Sequence, residues 1–307
     1  MVSLIMPLYN RNDFVISTLQ SVSNQSDSNW ECIIVDDGST DDSYKFVSDY
    51  IRNDSRFRLY NRTSEYKKGG NGARNYGFDL SKGDYINFID SDDVLHPDFV
   101  KLKLNAIINS DADAIISKTV ITALDVSQII RYEERTIITS FMLDDFITLK
   151  ASWYIVDPIW RKEFLVEKKM FDEHLLKGQD RDFHIRRLLE KPKIEILDEY
   201  LYYYRTNPKS ISADVSEQTA LTMLEVGIKR NFILKKYGIR QDTEFFVFRQ
   251  MIRLYPFLFK SKEVKTLYFK VFRIFFKFSR KYVILSTKFF ITILSFQLFG
   301  KGERLLK

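Results

Sequence analysis

Three groups of polar side chains follow short apolar runs in the first hundred residues of the chain. The groups occupy residues 7–11, 36–41 and 90–93, and the second and third are rich in aspartate. Any one of them alone is typical of a turn in which an Asp or Ser caps the next helix. Capping needs one such residue per helix, however, whereas these groups offer a pair and then a triple. Because ligands bind beyond the carboxyl ends of the strands in an open parallel sheet, the three groups together predict a binding site there.

The third group, Asp90-Ser91-Asp92-Asp93, indicates a metal site. Three carboxylates within four residues repel one another unless a cation or a basic group lies between them. Oxygen ligands at this density suit Mg²⁺ or Mn²⁺, with the remaining positions filled by water and by substrate phosphates. A divalent ion there would neutralise a departing diphosphate. The sequence contains no Walker loop and no G-x-G-x-x-G, so it favours neither a P-loop kinase nor a dehydrogenase.

The first half of the chain alternates between strand-like and helix-like segments. Apolar runs at residues 2–6, 32–35, 56–60 and 85–89 are short enough for strands, and segments with helical apolar spacing separate them. This alternation predicts an α/β fold with a mostly parallel central sheet covered on both faces. Farther along, the pattern predicts helices at about 98–109, 141–150 and 182–189, a strand at 114–118 that opens a hairpin extending to 135, and extended chain at 193–205.

Four segments resemble successive motifs of the family 2 glycosyltransferases. They read SLIMPLYN from residue 3, IVDDGSTD from residue 34, GARNYG from residue 72 and DSDD from residue 90, and the resemblance extends over about residues 1–205. It implies an inverting enzyme with the GT-A fold and a nucleotide diphosphate sugar as donor. It also implies roles for six residues: Pro7 and Tyr9 would line the nucleoside pocket, Asp37 would pair with the base (uracil), Arg74 would lie near the base or the phosphates, Asp90 would face the ribose, and Asp92 would bind Mn²⁺ or Mg²⁺.

The catalytic base of an inverting transfer takes the proton of the acceptor hydroxyl as the new bond forms. The segment GQDRDF at residues 178–183 resembles the family element that carries this base. The resemblance places Asp180 in the base position, although Gln179 stands where a Glu is frequent. Asp182 is the rival candidate, and its alternative interpretation is a first-turn residue favoured by the helix dipole.

The strand predicted to end at Arg205, followed by SIS at residues 210–212, resembles the closing segment of the same family. Arg205 could clamp the leaving diphosphate, because a guanidinium forks onto phosphate oxygens. An ordinary arginine at a strand end is the alternative. The processive-synthase motif Q-x-x-R-W does not occur in the sequence, which favours transfer of a single sugar over polymerisation.

The charge of the chain is divided between an acidic body and a basic, aromatic tail. The formal net charge is +6, yet residues 260–307 carry twelve Lys or Arg against two acids. Basic residues from Lys270 to Lys288 would share one stripe of a helix, which predicts contact between residues 260–300 and an anionic membrane surface. Two alternatives are a marginal spanning segment at 282–299 and packing on the catalytic domain or another subunit. Nucleic-acid binding is not predicted, because the body offers no motif for it.

These features predict a GT-A catalytic domain over residues 1–215 and a helical, basic-aromatic membrane-association region over 216–307. Residues 1–95 would form the nucleotide-binding half of the catalytic domain, and residues 96–215 the acceptor-binding half. The predicted enzyme is a peripheral protein at the cytoplasmic face of the membrane. It transfers a sugar from a UDP-sugar to a saccharide or lipid-linked saccharide. Assembly into a homo-oligomer is left open. The alternatives are a nucleotidyltransferase of similar fold and a non-catalytic nucleotide-sugar-binding subunit of a membrane complex.

Overall fold

The computed structural model describes residues 1–206 and 216–254, together with Thr287 and Ile291. The chain divides into two compact units. The first unit contains residues 1–142, 149–174 and 178–206, and the second contains 143–148, 175–177 and the described residues from 216 onward. The boundary predicted between residues 215 and 216 borders a segment outside the described residues, so it stays a prediction.

One sheet forms the centre of the first unit, and nine strands of the described residues belong to it. In chain order they are β1 (Val2–Leu8), β2 (Trp30–Asp36), β3 (Phe57–Asn61), β4 (Tyr85–Phe88), β5 (Val94–Leu95), β6 (Ala114–Thr122), β7 (Ile129–Tyr132), β8 (Pro158–Arg161) and β9 (Ile194–Arg205). Their order across the sheet is β3-β2-β1-β4-β8-β6-β9-β5, with β7 paired to β6.

The strand directions bring several carboxyl ends to one edge of the sheet. β1 pairs in parallel with β2 and β4, β2 with β3, and β6 with β9. β8 runs antiparallel to both β4 and β6, so β6 and β9 point the same way as β4. The carboxyl ends of β1, β2, β4 and β9 therefore lie at the same edge, as the sequence predicts for a ligand site.

Nine helices lie within the described residues. They are α1 (Val15–Ser23), α2 (Ser43–Ile51), α3 (Gly70–Leu80), α4 (Phe99–Ile108), α5 (Met142–Ile147), α6 (Lys162–Leu165), α7 (Gln179–Leu188), α8 (Glu217–Lys236) and α9 (Gln241–Arg253). α3 packs closely on the sheet through Gly77, where a Cβ atom would lie 2.6 Å from Ile5 Cγ2. A side chain at this position would push α3 away from β1.

The core of the first unit is built from strands that are covered on both faces. All seven residues of β2 are buried, as expected for a parallel strand in the middle of a sheet. Phe183 of α7 is fully buried and makes edge contacts with Phe88 of β4 and Trp160 of β8. The helix that carries Asp180 is therefore anchored to the same core as the strand that leads to the aspartate triple.

Most predicted strands and helices of the first unit are confirmed, two of them with clearly different limits, whereas β5, β8 and α6 were not predicted. β6 extends to Thr122, beyond the predicted end at residue 118, because Thr119–Thr122 pair with Tyr202–Arg205 of β9. α7 begins at Gln179, three residues before the predicted start. Asp180 and Asp182 consequently both lie in the first turn of the same helix.

The second unit contains α8 and α9, which pack on each other. In this unit the side chain of Asp144 accepts hydrogen bonds from the backbone N–H of Arg240, at 2.8 Å, and from the hydroxyl of Thr243. Among the described residues, no helix is long and apolar enough to cross a membrane. The predicted basic stripe and its membrane contact lie outside the described residues.

Candidate active site

Asp93 anchors the turn that follows β4. Its carboxylate is buried and accepts hydrogen bonds from the Tyr202 hydroxyl, at 3.0 Å, and from the Arg205 backbone N–H, at 2.7 Å. The hydroxyl of Thr18 on α1 donates to the carbonyl oxygens of Ser91 and Asp93. Burial, with a contribution from Asp92, raises the pKa of Asp93 well above its ordinary value. Asp93 thus holds the turn between α1 and β9, and its carboxylate faces the protein rather than a ligand.

Asp90 and Asp92 each pair with an arginine from another part of the nucleotide-binding half. Arg74 Nη2 on α3 lies 2.7 Å from Asp90 Oδ1, and Arg11 Nε lies 2.9 Å from Asp92 Oδ2. Both aspartate side chains retain 28% exposure. Burial, together with the charge of Asp90, nevertheless raises the pKa of Asp92 above its ordinary value. The two arginines only partly compensate the negative charge of the turn.

The donor set on this turn fits a hard divalent cation that shares its ligands with a substrate. No group of three or more carboxylates, imidazoles or thiols within the described residues could enclose an ion. Mg²⁺ commonly binds through one or two carboxylates and fills its remaining positions with water and substrate phosphates. Asp92 is half-exposed and its charge is under-compensated, which suits such an open site. The residues present therefore fit the predicted metal.

The two aspartates after β2 have different surroundings. Asp36 accepts three hydrogen bonds from Gly38 and Ser39, and it thereby closes the turn. Asp37 is buried; its Oδ1 pairs with Arg62 Nε at 2.5 Å, and its Oδ2 accepts the N–H of Gly69 at 2.7 Å. Asp37 thus joins the end of β2 to the loop that enters α3, beside the predicted nucleotide site.

Pro7 and Tyr9 lie where β1 reaches the same edge of the sheet. Pro7 is half-buried and pairs in register with Val35 of β2. Tyr9 follows β1 and has 37% of its surface exposed, with Lys68 Nζ 5.4 Å from its ring centroid. An exposed aromatic ring beside a lysine is suited to stack on a base near a diphosphate. The predicted nucleoside contacts of these residues stay predictions.

Asp180 differs from the other carboxylates of the site. It lies in the first turn of α7, after Gly178 in the left-handed conformation at φ 73°. Its Oδ1 is buried and has no hydrogen-bond partner among the described residues. Burial raises the pKa of Asp180 to about 6, while the Arg74 guanidinium acts in the opposite direction and Asp90 adds to the rise. Both residues of the Arg74–Asp90 ion pair are thus close enough to influence the pKa of Asp180.

Asp182, the rival candidate, has a structural partner. Its Oδ2 pairs with Arg186 Nε at 2.8 Å, one turn later on α7. The Asp182 side chain is also buried. A carboxylate that is already bonded within its own helix is poorly placed to accept a proton from a substrate, so the geometry favours Asp180.

Arg205 is turned toward the protein. Its Nη2 donates to the Ser17 hydroxyl at 2.7 Å and its Nη1 to the Asp92 carbonyl oxygen at 3.2 Å. The side chain is largely buried beside the ring of Phe14. Arg205 thus stabilises the turn that carries Asp92. Its contact with the leaving diphosphate stays a prediction.

Sequence reasoning missed two arginines that balance the charge of the site. Arg11 pairs with Asp92 and also donates to the carbonyl oxygens of Tyr9 and Asn10, while Arg62 pairs with Asp37. Arg11 lies within the first polar group, so a search for counter-ions to the aspartates could have found it. The partner of Asp37 follows β3, and no sequence spacing indicates that pairing.

Comparison with known proteins identifies the family. The model of glycosyl transferase family 2 matches residues 3–175. The chain is 28% identical over 232 residues to the uncharacterized glycosyltransferase EpsJ of Bacillus subtilis (strain 168). The aligned region covers 69% of this chain and 63% of EpsJ. It is 32% identical over 116 residues to the glycosyltransferase GlyG of Streptococcus pneumoniae, and this aligned region covers 38% of each protein. The chain thus spans less than two thirds of the length of these relatives.

Solved structures of glycosyltransferases share the fold. The chain superposes on S. aureus TarS in complex with UDP-GlcNAc with a TM-score of 0.61 and 20% identity, over 83% of this chain and 72% of that one. It superposes on the mannosyltransferase PcManGT from Pyrobaculum calidifontis, in complex with GDP-Man and Mn²⁺, with a TM-score of 0.57 and 13% identity, over 98% and 87%.

These similarities confirm the GT-A fold that the motifs predicted. The predicted class of enzyme is likewise the class to which the matched family and its named relatives belong. Since the family model covers more than half of the chain, this protein belongs to glycosyl transferase family 2.

Proposed function

We propose that this chain is an inverting, metal-dependent glycosyltransferase that moves a single sugar from a UDP-sugar to a saccharide or lipid-linked saccharide. One observation carries the proposal. Asp180 presents a buried carboxylate oxygen with no partner among the described residues, near the ion pair of Arg74 and Asp90. Partnered carboxylates hold structure or ligands, whereas an unpartnered one with a raised pKa is suited to move a proton.

The nucleotide would bind at the shared edge of β1, β2 and β4. Tyr9 and Pro7 would line the nucleoside pocket, Asp37 would hold the base, and Asp90 would face the ribose. Arg74 is equipped for an anionic ligand, because its Nε is buried and lacks a hydrogen-bond partner among the described residues. A guanidinium that keeps a free donor can bond a phosphate or ribose oxygen without giving up its contact with Asp90.

Asp92 would hold the metal ion, with waters and the donor phosphates as the other ligands. When bound, Mn²⁺ or Mg²⁺ would neutralise the diphosphate as it leaves. Arg11 keeps Asp92 from repelling its neighbours and orients one of its two oxygens, which leaves the other side of the carboxylate for a ligand. The complex of PcManGT with GDP-Man and Mn²⁺ supports use of a metal by a protein of this fold.

Asp180 would act as the catalytic base of a single displacement. It takes the proton of the acceptor hydroxyl while that oxygen bonds to the anomeric carbon of the sugar. The bond from this carbon to the diphosphate oxygen breaks at the same time, and UDP leaves with the electron pair. Because the pKa of Asp180 is raised to about 6, the carboxylate is charged at neutral pH and still basic enough to accept the proton.

The residues from 260 to 300 support a further part of this proposal, peripheral attachment to an anionic membrane surface that presents a lipid-linked acceptor. It rests on the basic and aromatic composition of this segment, which lies outside the described residues. Sedimentation of the chain with vesicles of phosphatidylglycerol and phosphatidylcholine would test it. Equal binding to vesicles of phosphatidylcholine alone would contradict the charge-based attachment.

A donor panel tests the proposed activity. Purified protein with Mn²⁺ is offered UDP-glucose, UDP-galactose, UDP-GlcNAc or GDP-mannose, and the release of free nucleoside diphosphate by slow hydrolysis is measured. The expected result is UDP release from at least one donor, lost in Asp180→Asn. Release of inorganic diphosphate from a nucleoside triphosphate and a sugar phosphate would favour a nucleotidyltransferase. Binding of a donor without turnover, even with saccharide acceptors, would favour the non-catalytic subunit.

A further inference from the structure

Asn75 on α3 clamps the backbone of the segment that precedes α7. Its Oδ1 accepts the N–H of Phe171 at 2.9 Å, and its Nδ2 donates to the carbonyl oxygen of Phe171 at 3.0 Å. The amide group thus pairs with both backbone groups of one residue, as a neighbouring strand would. Nδ2 also donates to Glu173 Oε1 at 2.7 Å, so both ends of the Asn75 amide are engaged.

The same segment is held at the next two residues. Asn71 Nδ2, one turn earlier on α3, donates to the carbonyl oxygen of Asp172 at 2.8 Å. The backbone N–H of Lys67, in the loop before α3, donates to Glu173 Oε2 at 2.7 Å. Three consecutive residues are therefore tied to α3 and its leading loop, although about a hundred positions of sequence separate the two.

Phe171 transmits this position to the helix that carries the proposed base. Its ring stacks on Phe183 with 4.6 Å between centroids and 12° between planes, and both residues are buried. Phe183 follows Asp180 by three residues, so it lies one turn along the same helix. The rotation and height of the first turn of α7 therefore depend on where Phe171 is held.

The neighbour of Asn75 in sequence faces the other half of the site. Arg74 pairs with Asp90, whose predicted partner is the ribose of the donor. α3 consequently contacts the proposed nucleotide site through Arg74, and it contacts Phe171, which supports the helix of the proposed base, through Asn75.

We infer that Asn75 is a positioning residue that sets the place of Asp180 relative to the bound donor, through Phe171 and Phe183. This inference rests on the proposed function and adds a specific task to α3. A base displaced by about 1 Å can lose on the order of a hundredfold in rate while donor binding is retained. The inference therefore predicts a loss in turnover without a matching loss in nucleotide affinity.

The substitution Asn75→Asp with a compensating change at Glu173 provides the test. In Asn75→Asp one oxygen can still accept the Phe171 N–H, but the other now faces the Phe171 carbonyl oxygen and Glu173 Oε1. Glu173→Gln restores a donor toward position 75 and keeps an acceptor for the Lys67 N–H. The matched control is Phe57→Leu, a core change in the edge strand β3 that lowers stability away from the clamp.

Three readouts are taken for each variant: affinity for UDP with Mn²⁺, turnover at saturating donor, and hydrogen exchange of the α7 amides. We expect Asn75→Asp to lower turnover by roughly 10- to 100-fold, to change UDP affinity by less than about threefold, and to speed exchange in α7. The double variant should recover part of the turnover and of the slow exchange, because the carbonyl oxygen of Phe171 still lacks its donor. Phe57→Leu should leave turnover unchanged, and it should not speed exchange in α7 more than in the rest of the first unit.

Two results would overturn the inference: an Asn75→Asp variant with normal turnover, or a double variant that recovers neither turnover nor α7 exchange. A fall in UDP affinity as large as the fall in turnover would also overturn it, because Asn75 would then act on the nucleotide site. Should the unchanged protein turn over no donor, the proposed function fails. The exchange of α7 in the single and double variants would then decide the clamp separately.

Discussion

The turn after β4 and the first turn of α7 both carry aspartates, yet their surroundings differ. In the first turn, Asp90 pairs with Arg74, Asp92 pairs with Arg11, and Asp93 accepts two hydrogen bonds from β9. In α7, Asp180 keeps a buried oxygen without a partner among the described residues. Carboxylates that share their charge with fixed donors suit binding, and a carboxylate that keeps its lone pairs suits proton transfer.

The same contrast separates Asp180 from Asp182 within one helical turn. Asp182 bonds to Arg186 and contributes to the helix, whereas Asp180 is a cost to the fold because burial disfavours its charged form. A costly carboxylate beside a binding site indicates a chemical role.

Asp180→Asn should lower transfer by roughly two to four orders of magnitude, the usual contribution of a general base. The substitution is nearly isosteric and leaves Arg74, Asp90 and Asp92 in place, so affinity for UDP with Mn²⁺ should stay within about threefold. Asp182→Asn is the matched control, and its turnover should stay within about threefold of the unchanged protein. A dead Asp182→Asn beside an active Asp180→Asn would move the base by two residues.

Asp92→Ala should remove most of the Mn²⁺ dependence of UDP binding. In the presence of Mn²⁺, the affinity of the variant for UDP, measured by calorimetry, should fall by about tenfold or more. Arg11→Met is the matched comparator, because it removes the partner of Asp92 and keeps the carboxylate. It should retain the Mn²⁺ dependence. If Asp92→Ala binds UDP with an unchanged response to Mn²⁺, the metal assignment is wrong.

Asp37→Ala should raise the KM for the donor by roughly tenfold and change kcat little, because its proposed contact is far from the breaking bond. Arg62→Met breaks the same ion pair while leaving the carboxylate in place. If Asp37 holds the base directly, Arg62→Met should affect KM less than Asp37→Ala does. Equal effects of the two variants would indicate that Asp37 acts by holding the loop before α3.

The free energy of unfolding should move in opposite directions in the two α7 variants. In the folded protein the pKa of Asp180 is about 6, which lies above its value in the unfolded chain. Between about pH 4 and pH 6 the native state therefore binds more protons than the unfolded state. The protein consequently loses stability as the pH rises through that window. Asp180→Asn removes this cost and should stabilise the protein at pH 7, by on the order of 1 kcal/mol or more, with little effect below pH 4. Asp182→Asn should destabilise it by about 1 to 3 kcal/mol, because Arg186 loses a buried charged partner. Chemical denaturation at several pH values measures both, and a loss of stability in Asp180→Asn at pH 7 would contradict the assigned burial cost.

Much of the fold and the location of the site follow from local sequence. Parallel strands buried on both faces must be continuous apolar runs, so β1, β2 and β4 could be recognised directly, and their polar ends mark the edge where the site lies. Mixed polarity obscures an element's limits. Lys118 interrupts the apolar run of β6, yet the strand continues because Thr119–Thr122 pair with Tyr202–Arg205 of β9, a pairing between segments distant in sequence.

The start of α7 was misplaced for a related reason. Its first residue is preceded by Gly178 in the left-handed conformation, and no side chain caps the helix, so the usual Ser, Thr, Asp or Asn signal is missing. The ion partners of Asp37 and Asp92, and the clamp formed by Asn75, depend on contacts between segments that are distant in sequence. Such pairings are decided by tertiary packing, and residue spacing carries no information about them.

The pH dependence of turnover at saturating donor tests the role of Asp180 most directly. Turnover by the unchanged protein should fall about tenfold per pH unit below an apparent pKa near 6, because the base must be charged to accept the proton. Asp182→Asn should keep this acid limb, and the residual turnover of Asp180→Asn should lack it. Turnover that stays flat from about pH 5 to pH 7 in the unchanged protein, or an acid limb that persists in Asp180→Asn, would contradict the assignment of Asp180 as the catalytic base.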